Sequence, residues 1–502
     1  GDPLYVEDVF STFLYTGTGA TLAINNGLDL SGEGGLVWQK VRSSSGYRHF
    51  WFDTERTFNN YISSNTSDAQ SSLAALSSFN NNGVTLTSDG NTNGSGINSA
   101  LWSFRKAEKF FDVVTYTGNA VNGRQIAHNL GSTPGMIVVK RINGGAEWPV
   151  YHESTGAGQY LFLSTTDQKS PYDGPGNTNS RYWNNTAPTS TNFSVSNDGW
   201  VNASDGTYVA YLFASDAGGY GEDEDENIIK CGSYTTDGSG NATVSLGFEP
   251  QWVLNKVSSA SDNWTIADNM RGFSVTNEQR LYANLANAEA AATTFRPTST
   301  GYTVNGGETS KTYIYMAIRR PMKTPEAGTE VFNIGTYGAN RNNSSTSTYY
   351  AGFPVDMALR KVPVTANANN FASTRLLGTT DLKTNSTAAE ITGETDNLFD
   401  SNTHWNKAAG TSSTSYSWMF KRATGFMDVV AYSGTGVAGR TVAHNLGVAP
   451  AWMVIKCRNY ARNWCTYNIS LGNGYQIILN SSAVKESTAL WNSTTPTATE
   501  FT

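Results

Sequence analysis

Histidine is scarce in this chain, and two histidines stand in the same local sequence. His128 and His444 each lie within Ala-His-Asn-Leu-Gly. An imidazole titrates near neutral pH, so either side chain could act as a general base. Related stretches of the chain place Asn26, Ser245 and Tyr350 near the corresponding position. Because a side chain that is replaced so freely indicates turn packing, we expect both histidines to be structural.

Carboxylates raise the question of glycoside hydrolysis, which needs two acids held across a cleft. The candidates are Glu153, which follows a histidine, and the pair Asp53 and Glu55. Asp53 stands three residues before an arginine, and Asp268 and Arg271 repeat that spacing. The recurrence favours a structural ion pair or turn over a catalytic acid.

The acidic run at residues 222–226 could offer oxygen ligands to Ca²⁺. Its carboxylates are consecutive, whereas a calcium loop spaces its ligands at alternate positions. A solvated linker is the better interpretation. The chain contains no GxSxG, no HExxH, no CxxC pair and no phosphate-binding loop. We therefore expect a protein that is not an enzyme, with no catalytic residue, no metal and no cofactor.

A loop insertion carries the candidate binding residues. From Tyr160 to Trp183 the second repeat takes 23 positions, whereas the fifth repeat takes 16 positions from Tyr475 to Trp491. Extra loop length on a scaffold is a common place for binding. Tyr172, Tyr182 and Trp200 could stack on sugar rings of a glycan. A plain surface loop or a loop between subunits explains the insertion equally well.

These residues belong to a chain built from one repeated unit. The two strongest copies run from Tyr116 to Lys140 and from Tyr432 to Lys456, and both contain Ala-His-Asn-Leu-Gly-x-x-Pro before an apolar run that ends at the lysine. The weaker copies have Tyr15 with Lys40, Tyr234 with Lys256 and Tyr337 with Lys361. A unit that returns about every 100 residues predicts five tandem domains.

The spacing of the repeats also predicts their boundaries. The five repeats are residues 1–109, 110–219, 227–320, 329–424 and 425–502. An acidic linker at 220–226 and a proline-containing linker at 321–328 separate repeats 2, 3 and 4. Such short junctions imply domains that touch, and they favour an extended rod over a globule.

The composition predicts an all-β fold. Each copy closes with an aromatic-rich apolar run such as residues 208–213, which is typical of a buried strand. Pairs such as Asn82-Gly83 favour tight hairpins, and the Ala-rich residues 284–294 are the one helix-like stretch. We predict a tandem array of five antiparallel β-sandwich domains of jelly-roll or lectin-like type. Large aromatics recur as the expected core plugs of these sandwiches, at Trp148, Trp264 and Trp464.

Charge and cysteine content narrow the partners. The net charge of −7 argues against a nucleic-acid surface, and no apolar run approaches the length of a membrane span. We therefore expect neither nucleic-acid binding nor membrane insertion. Cys231 stands alone, while Cys457 and Cys465 could face each other across a hairpin. Reduced thiols are the favoured interpretation, and a disulfide stays open.

The repeat resembles a unit found in virion structural and tail-fibre proteins of marine tailed bacteriophages. The resemblance rests on the Tyr-x-Gly opening, the Ala-His-Asn-Leu-Gly-x-x-Pro step, the Val-Val-Lys strand, the Trp-Asn-x-Thr-x-Pro-Thr turn and the Tyr-Val-Ala-Tyr-Leu-Phe ending. It covers essentially the whole chain and is clearest in repeats 2 and 5. It implies an extended, oligomeric appendage of the particle with lectin-like sandwiches, and it transfers no functional residue.

We therefore expect a non-enzymatic virion protein, a tail fibre or tail-associated protein that contacts the host surface. The expected partners are other virion proteins, identical chains in a homo-oligomer with a trimer favoured, and a glycan or protein of the host. The chain would be assembled in the host cytoplasm and carried on the extracellular particle. A capsid decoration or head fibre is the alternative, and a polysaccharide depolymerase comes third.

The fifth repeat lacks a counterpart of the second repeat's closing strand. Residues 496–502 match residues 188–194, after which repeat 2 continues to residues 208–214. A sandwich without that strand exposes an unpaired edge and part of its apolar interior. We expect either further polypeptide beyond Thr502 or a strand from a neighbouring subunit.

Overall fold

The computed structural model of the protein describes residues 2–171, 181–337, 348–362, 368–407 and 415–502. The predicted all-β array of antiparallel sandwiches is confirmed, because the chain forms a succession of separate antiparallel sheets. Helix within the described ranges is confined to Gly90–Asn93 and two 3₁₀ turns, Val6–Asp8 and Gly328–Glu330. No helix there is long and apolar enough to span a bilayer.

Each repeat contributes a large and a small sheet, and the strands are numbered in chain order. Repeat 1 has β1 Phe10–Thr16, β2 Leu22–Asn25, β3 Gly35–Val41, β4 His49–Asp53, β5 Asn60–Ser63, β6 Ser71–Ser72, β7 Leu76–Asn80, β8 Gly83–Leu86 and β9 Asn98–Arg105. Repeat 2 has β10 Phe111–Thr117, β11 Arg124–Ala127, β12 Pro134–Arg141, β13 Pro149–His152, β14 Gln159–Phe162, β15 Ser170–Pro171, β16 Asn192–Val195 and β17 Thr207–Ala214.

The next three repeats reuse the pattern. Repeat 3 has β18 Ile229–Thr235, β19 Ala242–Ser245, β20 Pro250–Val257, β21 Thr265–Asp268, β22 Glu278–Tyr282, β23 Ala290–Ala292, β24 Phe295–Thr298, β25 Gly301–Val304 and β26 Thr312–Arg319. Repeat 4 has β27 Phe332–Thr336, β28 Thr348–Tyr350, β29 Met357–Lys361, β30 Phe371–Thr374, β31 Thr380–Lys383, β32 Ile391–Thr392, β33 Asn397–Leu398, β34 His404–Lys407 and β35 Tyr416–Phe420. Repeat 5 has β36 Val442–Ala443, β37 Trp452–Ile455, β38 Cys465–Asn468, β39 Tyr475–Ile478, β40 Glu486–Ser487 and β41 Glu500–Phe501.

The large sheet keeps one strand order through four repeats, with the closing strand paired between the opening strand and the lysine-containing strand. These orders are β1-β9-β3-β4-β5-β6, β10-β17-β12-β13-β14-β15, β18-β26-β20-β21-β22-β23 and β27-β35-β29-β30-β31-β32. The small sheets are β2-β8-β7, β11-β16, β19-β25-β24, β28-β34-β33 and β36-β41. In repeat 5 the large sheet is β37-β38-β39-β40, which leaves β37 as an edge strand.

The large sheet of repeat 1 is buried on both faces. Val37, Phe50 and Phe52 point into a core shared with the small sheet. Leu36 and Trp38, which alternate with them along β3, belong to a different core. Every residue of β3 and β4 is buried. Double-sided burial explains why these strands read as continuous apolar runs instead of alternating patterns.

The second core is shared by repeats 1, 2 and 3. It gathers side chains from the large sheets of all three, among them Trp38, Trp51, Trp102, Val138, Val150, Tyr211, Trp252, Leu254 and Met316. Aromatic contacts cross the boundaries between repeats: Trp51 lies 5.1 Å from Trp148, and Trp252 lies 5.9 Å from Phe104. The three sandwiches therefore bury their large sheets against one another.

Backbone hydrogen bonds show that this association is cyclic. One N–H of each repeat donates to a carbonyl of another at equivalent positions: Ala146 to Ser67 at 2.9 Å, Asp262 to Thr166 at 2.9 Å, and Gly46 to Ala286 at 2.8 Å. A reciprocal set joins the same pairs: Gln70 to Ile142, Lys169 to Ser258, and Glu289 to Arg42, each at 2.9 Å. Repeat 2 thus docks on repeat 1, repeat 3 on repeat 2, and repeat 1 on repeat 3. We call this closed arrangement the three-repeat ring.

Two expectations are corrected by the ring. The extended rod is wrong for repeats 1 to 3, because apolar faces on their large sheets are buried only by mutual packing. The Ala-rich stretch at 284–294 forms no helix and contains the short strand β23. Glu289, just before β23, donates its backbone N–H to the Arg42 carbonyl of repeat 1. Docking between repeats therefore outweighs the local helical propensity.

Candidate functional site

The predicted glycan-binding residues fall in and beside an aromatic cluster of repeat 2. Tyr182 packs edge-on against Tyr160, with ring centroids 4.7 Å apart, and lies parallel to Trp200 at 6.1 Å. Tyr182 is fully buried, so a sugar could not stack on it without displacing its neighbours. Trp200 is partly exposed. Tyr172 lies outside the described residues.

Arg181 and Asp198 complete this cluster at the surface. The Arg181 guanidinium lies 5.4 Å from the Tyr182 ring and 5.5 Å from the Trp200 ring. Its Nε donates to Asp198 Oδ2 at 2.9 Å, and the Trp200 backbone N–H donates to Asp198 Oδ1 at 2.8 Å. The carboxylate therefore fixes the Arg181 side chain and the Trp200 backbone. A partly exposed indole with a cation and a carboxylate beside it can stack on an apolar sugar face and hydrogen bond to hydroxyl groups.

The two histidines have matching environments. Leu130 N–H donates to His128 Nδ1 at 3.2 Å, and His128 Nε2 lies 3.2 Å from the Thr189 carbonyl oxygen. His444 makes the corresponding contacts, with Leu446 N–H and the Thr497 carbonyl, at the same two distances. Burial lowers the pKa of His128. Each imidazole thus joins the backbone of its own turn, through Leu130 or Leu446, to a carbonyl of a distant segment, at Thr189 or Thr497.

The carboxylates considered for hydrolysis have separate partners. Asp53 is fully buried; its Oδ2 accepts from Arg56 Nε at 2.7 Å and from the Tyr211 hydroxyl at 2.6 Å. Glu55 pairs with a lysine at 2.9 Å. Glu153 accepts a hydrogen bond from a serine, and burial raises its pKa. The Asp-x-x-Arg pattern is an ion pair, as its recurrence predicted, and the second copy has an Arg271 Nε to Asp268 Oδ2 distance of 2.6 Å.

The acidic connector is packed against other parts of the chain. Glu222 accepts a hydrogen bond from the Tyr5 hydroxyl at 2.7 Å, and Glu226 pairs with Arg319. Tyr220, just before the run, is buried and donates to the Glu108 carbonyl. Across the part of the chain that the structure describes, no group of three or more His, Cys, Asp or Glu side chains is arranged to hold a metal ion.

The recurrent lysines and tryptophans bind neighbouring repeats, a role that the sequence reasoning missed. Lys140 Nζ donates to the Ser67 carbonyl at 3.2 Å, Lys256 Nζ to Thr166 at 3.1 Å, and Lys456 Nζ to Thr387 at 3.1 Å. Trp148 Nε1 donates to the Thr66 carbonyl at 3.0 Å, Trp264 Nε1 to Phe162 at 2.8 Å, and Trp464 Nε1 to Lys383 at 2.9 Å. The tryptophans therefore stabilise contacts between repeats, and they do not fill the core of a single sandwich as expected. Their constant spacing of eight residues after the lysine was the available signal.

Burial changes the chemistry of these lysines. It lowers the pKa of Lys40, Lys140 and Lys256 to about 8 each. Lys140 Nζ also donates to the Ala146 carbonyl at 2.9 Å, so the backbone supplies its partners. The three cysteines are free thiols, and burial raises the pKa of Cys231 well above its usual value.

These features define a class of all-β proteins in which tandem sandwiches are joined by a repeated lysine and tryptophan contact. A family model described as a domain of unknown function (DUF7483) matches residues 6–321 and 401–502. The chain belongs to this family. No curated protein matches it.

Proposed function

We propose that the chain is a non-enzymatic structural protein of a tailed bacteriophage particle, a tail fibre or tail-associated protein that contacts a glycan of the host surface. The observation that carries this proposal is the partly exposed Trp200, which lies with Arg181 and Asp198 on repeats that share a core. The resemblance of the repeat to phage appendage proteins supports the same setting.

Rigidity matters for such a role. The Asp198 carboxylate holds the cation and the Trp200 backbone, and the cation lies beside the indole, before any ligand arrives, which reduces the ordering cost of binding. One shallow site gives weak affinity, and assembly of identical chains, with a trimer favoured, multiplies it. Other virion proteins would then anchor the array to the particle.

The second candidate is a capsid decoration or head fibre. The closed three-repeat ring favours it, because three sandwiches that share a core form a compact unit and not a slender rod. Gold-labelled antibodies against the chain, imaged on intact particles, separate the two. Label on the tail supports the first proposal, and label on the shell replaces it with the second.

The glycan site is tested with purified chain and isolated host-envelope polysaccharide. Trp200→Ala should weaken binding about fivefold, because stacking of one aromatic contributes about 1 kcal/mol. The control is Phe58→Ala, which removes an exposed apolar side chain from repeat 1. Equal binding by wild type and Trp200→Ala would reject this site, and release of reducing sugar would reject the non-enzymatic proposal.

A further inference from the structure

Repeats 4 and 5 are joined by the same contacts as the members of the three-repeat ring. Arg462 N–H donates to the Thr387 carbonyl at 2.9 Å, as Ala146 does to Ser67. Glu390 N–H donates to the Arg458 carbonyl at 2.7 Å, which is the reciprocal bond. Lys456 and Trp464 also donate to backbone carbonyls of repeat 4, as the equivalent lysines and tryptophans do within the ring. Repeat 5 therefore docks on repeat 4 as repeat 2 docks on repeat 1.

In the ring, each such pair is covered by a third repeat. Trp252 of repeat 3 packs edge-on against repeat 1, with centroids 6.2 Å from Phe10, 6.3 Å from Trp38 and 5.9 Å from Phe104. Trp452 holds the same position in repeat 5, since each tryptophan precedes its lysine by four residues. Trp252 is 0% exposed, whereas Trp452 is 62% exposed.

Two further positions show the same contrast. Val454 is 40% exposed and its counterpart Leu254 is 2% exposed. Ile477 is 40% exposed, and its counterpart Leu281 is 0% exposed. These three side chains of repeat 5, Trp452, Val454 and Ile477, form what we call the open face.

The free edge of β37 does not account for the open face. A closing strand would pair with the free edge of β37, as β26 pairs with β20. Ile477 lies on β39, with β38 between it and β37. In the ring, the counterpart of β39 is covered by the core shared with neighbouring repeats, to which Leu281 belongs.

The backbone acceptor for a further repeat is also in place. The carbonyl that accepts from the next repeat lies four residues before the outermost strand of the large sheet. These carbonyls belong to Ser67, Thr166, Ala286 and Thr387, which precede β6, β15, β23 and β32. Ser482 holds that position in repeat 5, and it lies in an exposed segment. The open face and Ser482 together match what repeat 3 presents to repeat 1.

We propose that repeats 4 and 5 are two members of a second three-repeat ring, and that the open face binds a further β-sandwich of this same repeat type. The occupant is specified by chemistry. It carries a lysine-ended strand whose apolar side chains cover Trp452 and Ile477, and a hairpin N–H six residues after the lysine that donates to Ser482. We do not propose a second whole copy of the chain as the occupant, because repeats 1 to 3 of that copy are already closed on one another.

The first test uses the chain of residues 1–502. Hydroxyl-radical footprinting, read by mass spectrometry, should label Trp452, Val454 and Ile477 at least about tenfold more than Trp252, Leu254 and Leu281. Sedimentation run in parallel gives the oligomeric state. Protection of the open face in a monomer would overturn the proposal, and so would a dimer that protects it.

The second test supplies a third member by grafting. Residue 502 matches residue 194, so a copy of residues 195–320 appended after Thr502 adds a closing strand and one further repeat. A shorter graft of residues 195–219 adds the closing strand alone. The longer graft should lower labelling of Ile477 about tenfold, and the shorter graft should change it less than about twofold. Equal protection by both grafts would show that the strand covers the face.

A point substitution ties any protection to the open face. In the longer graft, Trp452→Asp should restore labelling of Ile477, whereas Val437→Asp should not. Val437 is a matched control because it is 68% exposed and its counterpart Val121, in the complete repeat 2, is 56% exposed. In a second long graft, residues 10–106 take the place of residues 227–320 as the added repeat. This second graft is the control for misfolding of the first. Two folded grafts that leave Ile477 labelled would overturn the proposal, and if neither folds the footprint of residues 1–502 decides.

Discussion

Tyr211→Phe removes one oxygen from the contact between repeats 1 and 2. The Tyr211 hydroxyl donates to Asp53 Oδ2 at 2.6 Å and accepts from Arg56 Nη2 at 3.2 Å. All three residues are buried. Burial raises the pKa of Tyr211 well above its usual value, so the hydroxyl keeps its proton and remains the donor.

The expected cost follows from the charges. A buried hydrogen bond to a charged group contributes about 1.5–3 kcal/mol, and phenylalanine leaves Asp53 with one donor fewer. We expect the free energy of unfolding to fall by about 2–3 kcal/mol. Tyr116→Phe is the matched control, because the Tyr116 hydroxyl donates at 2.7 Å to the neutral Val201 carbonyl inside repeat 2. Its loss should cost about 1 kcal/mol.

Urea denaturation followed by tryptophan fluorescence measures both variants. Because repeats 1 to 3 share a core, the whole ring should unfold in one transition, and Tyr211→Phe should move that transition without splitting it. A loss no larger than that of Tyr116→Phe would refute the assignment of Tyr211 to a charged interface. Separate transitions for the three repeats would refute the shared core.

Further predictions concern single positions. Burial lowers the pKa of His152 from 6.5 to about 4, so between these pH values the unfolded chain takes up a proton that the folded chain excludes. The free energy of unfolding should therefore fall by up to about 3 kcal/mol as the pH falls through this range. His152→Gln should flatten that part of the profile of stability against pH. Trp264→Phe leaves the Phe162 carbonyl without its indole donor and should cost at least about 1 kcal/mol, measured by thermal unfolding against Trp200→Phe, whose indole lies outside the docking contacts. Cys231 is buried with a raised thiol pKa, so maleimide should label it only at the rate of ring opening, while Cys457 should react in the folded protein; fast labelling of Cys231 would contradict the buried position.

The sequence predicted the strands better than their association. The lysine-ended strands appear where the repeat placed them, with β12 ending at Arg141 and β20 at Val257. The hairpin at Asn82-Gly83 also forms, with β8 starting at a glycine of φ +116°. Short junctions predicted that the repeats touch, but the side-chain contacts that join them were not visible, because the acceptors for Lys140 and Trp148 are backbone carbonyls, which any residue type supplies.

The candidate site shows the same limit. Tyr182 and Trp200 are residue types that can stack on a sugar ring, but side-chain type does not specify burial. Tyr182 is covered by Tyr160 and Phe162, whereas Trp200 keeps an exposed part. Asp198, which bonds to the Arg181 side chain and the Trp200 backbone, has no distinguishing local sequence. Its role follows from two hydrogen bonds that only the folded chain brings together.

Covalent connection of the three members gives the ring a freedom that a homotrimer lacks. Asp53, His152 and Asp268 hold the same register position at three equivalent contacts. Three separate identical chains would carry the same residue at all three contacts and would dissociate on dilution. On one chain the stoichiometry is independent of concentration, and each contact can change by itself. Two contacts use buried carboxylates, and the third uses a histidine whose pKa is lowered by burial, so one side of the ring differs in chemistry from the other two.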